Sequence, residues 1–558
     1  MFRELEGWWR AARWVRILPL VLAGALLVFG YQARMRLVDQ ALPYCQHIDE
    51  HTWTQIAIRM MKTGDLNPHR FTKPSVMVYL DTAAFSLGML KAGMSGAKLP
   101  ALETLHEGGY PYYSSPAMIR TARQVYAILS IIPMALAALI ARRIAADLLG
   151  RFSQDSGSGD QRAPLVSAPD LVGLTTLGLV LLSETYLRYS HWYLGVDLIG
   201  CVGAMATIAY LLLHPPATRP MTFAVVAGIL SGVCIGTKYN LYPIAVPVAV
   251  TIFFRYKRAW FSTFVVFAAV TVLTFLVTTP YALLDLPAFV RSAAGEAYHY
   301  ATGHGKYSRD PGLPAFLAYG ASLPQNYGWG LALAALVGVA TTARYLPRSA
   351  GVVLSYPLLL WIYMAGQRAF FSRNLLVLQL ILPIFAGVGL LVLVTLLRRQ
   401  ILARAPERWL PHSRSLALGI LTFCVMLTCP WSSVAKGYKG QGESRNEAAS
   451  WVRQRPEKVV LVAEELEMDV RTLGKSKRVV SFSMLGATFG SLKKEYPGAL
   501  VLAPVIVPKG KFQVPEAGRL KVLGQNAVKK RKRGATRIRA GNPRLIIGRL
   551  GPSGNEEE

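Results

Sequence analysis

A first apolar run, from about Ile17 to Tyr31, is followed along the chain by stretch after stretch of the same kind, almost free of charge. A chain built this way has few options. Inside a bilayer every backbone N–H and C=O must be satisfied within its own segment or a closed barrel, and runs of this length and composition read as helices. Of the 558 residues, 53% are hydrophobic and only 16% charged, which excludes disordered and ordinary soluble globular classes. The fold class is therefore a polytopic α-helical membrane protein with about eleven to thirteen spans, plus interfacial helices and a small soluble α/β domain at the C-terminal end.

Arg3, Arg10, Arg13 and Arg16 flank the first run and place its N-terminal side in the cytoplasm. The segment 41–75 is then external. Within it, Trp53, Ile56, Ala57, Met60 and Met61 recur at helical spacing over Glu50–Thr63, and Gly64-Asp65 ends the pattern. An amphipathic helix of this kind lies in the membrane interface. Residues 75–92 contain Asp81 and are short; charge bookkeeping makes them an interfacial or re-entrant helix. Later spans are expected near 117–141, 165–186, 195–213, 220–236, 238–254, 259–279, 329–343, 350–366, 375–397 and 415–433. The Arg-rich loops between them, such as 255–258 and 398–414, then fall in the cytoplasm.

From about Gly437 the composition changes to short Val-, Ile- and Leu-rich runs: KVVLVAEEL, KRVVSFSML, ALVLAPVIV, RLKVLG and PRLIIGRL. Two domains follow: 1–436, a transmembrane catalytic domain with a first external loop at 41–75 and a long external loop at 280–326, and 437–558, a non-cytoplasmic α/β domain carrying the basic run 528–539. The net charge of +30 falls mainly in loops and in this tail, so anionic lipid explains it and nucleic acid does not. The five cysteines form no CxxC pair.

Chemistry-bearing residues gather in the external connections. Asp49 and Glu50 follow the first span. A carboxylate at an apolar interface is partly desolvated, which raises its basicity and suits a general base; the same pair at a helix start also suits a cap. Lys73, Lys238, Arg368 and Arg373 are cations at the mouths of spans, suited to a phosphate or to anchoring at the interface. Asp197 opens a span, with His191 or Lys238 as partners. His47, His51, Glu296, His299 and His304 have spacings workable for a divalent ion, although no zincin-type motif is present.

In order, the stretches HIDEHTW, KTGDLNPHRFTKPS, SHWYLGVD, GVCIGTKYN, TGHGKYS and FFSRNLLVLQLILPIF resemble the GT-C superfamily of integral membrane glycosyltransferases over roughly residues 1–400. The resemblance is greatest to the branch with protein O-mannosyltransferases and the lipid A aminoarabinose transferase. It implies transfer of a sugar from a polyprenyl-phosphate carrier to a protein, lipid or glycan acceptor on the non-cytoplasmic face, with inversion. A bacterial inner membrane is the expected location. It further implies that Asp49 is the base or acceptor-orienting group, that Lys73 binds the carrier phosphate, and that Asp197 and Arg373 match the second-loop acid and the late arginine. The chain departs from the family in having KPS for KPP and in lacking the late Arg-Tyr pair, which leaves Arg368 and Arg373 as alternatives. A transporter or flippase of a lipid-linked glycan would keep its charges near the midplane and show repeats; a non-catalytic glycan-binding protein is a third class.

Overall fold

The computed structural model describes residues 2–45, 47–96, 115–156, 167–190, 194–214, 219–404, 427–439, 443–483, 489–504, 520–523 and 545–550. The chain divides into two compact units. The first comprises Met1–Val38, Asp65–Ala83 and Ala122–Lys439; the second comprises Asp39–Gly64, Ala84–Thr121 and Gly440–Glu558.

The first unit is helical. Six helical stretches among the described residues are long and apolar enough to cross a membrane: Ile17–Met35, Pro116–Arg151, Val196–Leu213, Trp260–Thr278, Pro347–Ala365 and Leu378–Leu397. Ala168–Leu181 and Pro220–Ile235 are shorter apolar helices. The protein is thus a polytopic membrane protein. The expected span 238–254 is instead a 3-10 turn, Tyr239–Ile244, leading into a helix Ala245–Arg255. Pro243 and Pro247 withhold backbone donors there, so a regular helix cannot run through. Helix Val76–Met94 is not among the six stretches. Its Asp81 is fully buried and accepts a hydrogen bond from the Tyr126 hydroxyl at 2.9 Å. Most of the expected span 415–433 lies outside the described residues.

Close helix contacts carry the bundle, as expected where lipid offers no hydrophobic drive between helices. Trp329–Tyr345 and Leu378–Arg404 touch backbone to backbone. A Cβ on Gly338 would lie 1.9 Å from the Phe385 carbonyl oxygen, and one on Gly389 1.8 Å from that of Ala334. Pro220–Ile235 likewise presents Gly228 and Gly232 to Trp260–Thr278. That second contact fixes the end of the helix from which the Gly236–Asn240 turn emerges. The Gly236 carbonyl accepts from the Val76 amide at 3.2 Å, which ties the segment bearing Lys73 to the same place.

The second unit contains a five-stranded mixed sheet. Its strands are β1 (Val459–Ala463), β2 (Arg478–Phe482), β3 (Leu500–Pro504), β4 (Leu520–Leu523) and β5 (Leu545–Arg549), in the order β2-β1-β3-β5-β4. β1 pairs in parallel with β2 and β3, while β5 runs antiparallel to β3 and β4. Alternate residues feed two cores. Val460, Val462, Leu500 and Leu502 pack on one face; Leu461, Ala463, Val501 and Ala503 pack on the other. Burial on both faces explains why these strands read as continuous apolar runs.

Tyr44, 44 residues into the chain, belongs to the first of these cores with Ala448, Val452 and Leu466. Its hydroxyl accepts from the Asp469 amide at 3.1 Å, and the Arg445 guanidinium lies 4.0 Å from its ring centre. Arg445 is in turn bonded to the buried Glu443 at 2.8 Å. Helix Ile48–Thr63 follows in the same unit. It buries Trp53, Ile56, Ala57 and Met60, the expected face, while Met61 is half-buried. It closes on Gly64 in the left-handed region (φ 71°), where a side chain would be strained.

Candidate functional site

Four separated segments of the first unit meet at one end of its helices. Asp197 sits in the first turn of Val196–Leu213, which has no side-chain cap, so the carboxylate stands where the helix dipole favours negative charge. Lys238 precedes the Tyr239–Ile244 turn in extended conformation. Arg373 and Asn374 belong to the 3-10 turn Ser372–Leu375. Tyr300 comes from helix Leu286–Thr302.

Lys238 Nζ donates to Asp197 Oδ1 and to Asn374 Oδ1, both at 2.7 Å. Arg373 Nε lies 3.5 Å from Asp197 Oδ2. The Tyr300 hydroxyl donates to the same Asn374 oxygen at 3.2 Å. The Lys238 and Asp197 side chains are 5% and 2% exposed, and Arg373 19%. Burial is the largest influence and pulls the Lys238 ammonium toward its neutral form, but the charge and hydrogen bond of Asp197 together with Tyr300 outweigh it and hold the pKa above the ordinary lysine value. Lys238 therefore stays charged.

A small pocket, with room for about one water, opens beside this cluster. Its polar wall is Asp197, Lys238, Arg373 and Asn374; Leu360 and Val377 are among its apolar lining. Two cations against one carboxylate leave one net positive charge. The two donors on Oδ1 set the Asn374 amide orientation and turn its buried Nδ2 toward the Tyr319 hydroxyl. A wall of this kind suits an anion with an apolar attachment.

The other expected residues of this unit separate clearly. Lys73 forms an ion pair with Glu296, both side chains 17% exposed, and lies 5.6 Å from the Tyr300 ring centre. Arg368 is exposed; its backbone N–H donates to the Tyr300 carbonyl at 3.0 Å and its carbonyl accepts from Arg309. Of the two arginines, Arg373 is the one that reaches Asp197. The His299 and His304 rings are 5.0 Å apart, and His304 stacks on Tyr307 and lies tilted against Phe371. His191 and the basic run 528–539 lie outside the described residues.

Asp49, Glu50, His47 and His51 belong to the second unit. His47, not Asp49, caps the helix: its Nδ1 accepts from the Asp49 amide at 3.2 Å. The Asp49 side chain is 36% exposed, 4.0 Å from His47 Nδ1. Glu50 is fully buried. Burial lowers the His51 pKa below the ordinary imidazole value. Among the described residues no three His, Cys, Asp or Glu side chains are grouped to hold a metal ion. Glu296, spaced for a metal with His299, turns to Lys73 instead.

Two participants are not evident from sequence. Asn374 follows Arg373 directly, and only its contact with Lys238, 136 residues away, marks it out. Tyr300 stands one helical turn after Glu296, a spacing that places both on one helix face and is the one available signal.

No protein-family model matches the chain, and no curated protein does. Among solved structures, ArnT from Cupriavidus metallidurans bound to undecaprenyl phosphate is similar with a TM-score of 0.46 and 15% identity, covering 96% of this chain and 99% of that one. The apo oligosaccharyltransferase of Archaeoglobus fulgidus is similar with a TM-score of 0.44 and 11% identity, covering 86% and 69%. At this level of likeness neither protein lends this chain an activity.

Proposed function

We propose that the protein is a membrane glycosyltransferase that moves a sugar from a polyprenyl-phosphate carrier to a protein, lipid or glycan acceptor at the non-cytoplasmic face. The observation that carries this reading is the buried Lys238–Asp197–Arg373 cluster at one end of an apolar helix bundle. A lipid-borne phosphate needs that combination: positive charge and donors for its oxygens, and apolar surroundings for its chain.

In this reaction Asp49 takes the proton from the acceptor. The acceptor atom bonds to the anomeric carbon as the bond from that carbon to the phosphate oxygen breaks, and the carrier phosphate leaves with the electron pair. One displacement inverts the configuration. Arg373 and Lys73 stabilise the departing phosphate, at a place where donors aimed at developing charge count most. Asp197 and Lys238 hold Arg373 and Asn374 in position. The segment 39–64 contributes the base through Asp49, and the strands of 437–558 serve as an accessory unit. The cluster lies at helix ends and in turns, not at the middle of the spans, which favours transfer over transport.

The test is mass-spectrometric profiling of glycolipids and surface glycans in three strains: deleted, complemented, and complemented with Asp49→Asn. Loss of a sugar from one product on deletion, restored by the wild-type copy alone, supports the proposal. Unchanged glycans on deletion, or full complementation by Asp49→Asn, refutes it.

A further inference from the structure

We infer that helix Leu286–Thr302 lies in the membrane interface, with bilayer lipid as the partner of its outer face. The helix has two unlike sides. Its inner side is engaged: Phe289 stacks edge-on against Phe71 and Tyr239, Glu296 pairs with Lys73, and Tyr300 bonds to Asn374. Its outer side exposes Leu286, Val290, Arg291, Ala294 and Tyr298, spaced one turn apart. No residue of the helix is fully buried.

Three observations select lipid. First, the apolar outer face continues the surface of a membrane-spanning helix. Trp260–Thr278 exposes Val272, Leu273 and Val277, and the chain then exposes Leu283 and Leu284 (74%) before the helix begins. Second, the outer face carries an arginine and no carboxylate; Glu296 and Asp285 both turn inward, to Lys73 and Asn67. That charge pattern suits anionic headgroups. Third, Tyr298, 71% exposed, is the amphipathic aromatic typical of the bilayer boundary. One face thus meets lipid while the other forms a wall of the cation cluster.

Nitroxide accessibility in the full-length protein tests this. Val290→Cys and Tyr298→Cys are labelled separately in nanodiscs of phosphatidylethanolamine and phosphatidylglycerol, with Val272→Cys as an in-span reference. The unmodified chain sets the background; its four described cysteines are buried. Collision with oxygen exceeding that with a water-soluble nickel chelate at both outer positions is expected. A chelate that dominates at them, as for a water-facing helix, overturns the inference. So does exclusion of both reagents, which would mean a protein partner covers the face. If either variant fails to insert, Leu286→Cys reads the same face.

Discussion

Lys238 Nζ and Asp197 Oδ1 meet at 2.7 Å with almost no exposure of either side chain, across 41 residues of sequence. A buried pair of this kind contributes little compared with a well-packed apolar pair, but breaking it from one side leaves a charge with no partner. Lys238→Met is expected to cost about 3–5 kcal/mol, and Lys238→Met with Asp197→Leu considerably less. Thermal unfolding of the two single variants and the double variant in detergent measures the coupling. The pair also has a pH signature. A pKa raised in the folded state gives stability that is fully present below the ordinary lysine value and lost as pH rises through the higher folded value. Alkaline unfolding should therefore shift in Lys238→Met.

Arg373 and Arg368 should differ in kinetics. A hydrogen bond to a charged group contributes about 1.5–3 kcal/mol, or roughly tenfold to hundredfold in affinity. Arg373→Gln is expected to raise the KM for the lipid-phosphate donor by that range. Arg368→Gln, at an exposed position, should stay within about twofold, since surface changes of this kind are worth about 0.5 kcal/mol. Equal effects of the two would remove Arg373 from the phosphate-binding role.

His51 is expected to make the second unit sensitive to mild acid. Its pKa is lowered by burial, so the stability tied to its neutral form is complete above the ordinary imidazole value and declines as pH falls through the depressed one. Melting temperature is expected to drop between neutral pH and about pH 5, and His51→Gln to flatten the drop. An unchanged slope in that variant would assign the acid sensitivity elsewhere.

Gly389 tolerates no side chain. With the Ala334 carbonyl oxygen 1.8 Å from where a Cβ would stand, Gly389→Val must push two helices apart. Loss of the monodisperse detergent-extracted protein is expected. Gly178→Ala, where nothing lies within 4 Å, serves as the control and should purify normally.

Tyr44 anchors the second unit's first segment in its sheet core. Tyr44→Ala is expected to cost about 3–5 kcal/mol, in the range of large aromatic truncations. Tyr44→Phe removes only the hydroxyl that the Asp469 amide bonds to, for about 1–3 kcal/mol. Limited proteolysis of the Tyr44→Ala variant should cut first within 39–64 or the sheet. Equal protease resistance of Tyr44→Ala and wild type would show that the segment is held by other contacts.

Composition and periodicity by themselves determined the membrane class, the amphipathic face of Ile48–Thr63 and the five strands. Each depends on residues near in sequence: apolar length for a span, a 3.6-residue repeat for a helix, a short Val-rich run for a buried strand. The prolines at 243 and 247 carried a local signal too, since a donor-poor stretch cannot continue a regular helix. Tertiary structure alone decided the rest. It placed 39–64 in one unit with strands four hundred residues later, through Tyr44 and Arg445. It brought Arg373 rather than Arg368 to Asp197, brought Asn374 to Lys238, and gave Glu296 to Lys73 instead of to a histidine. Those outcomes follow from the shape of the packed helices: a charged group leaving water takes whichever partner the fold brings within reach, and spacing along the chain does not encode that partner.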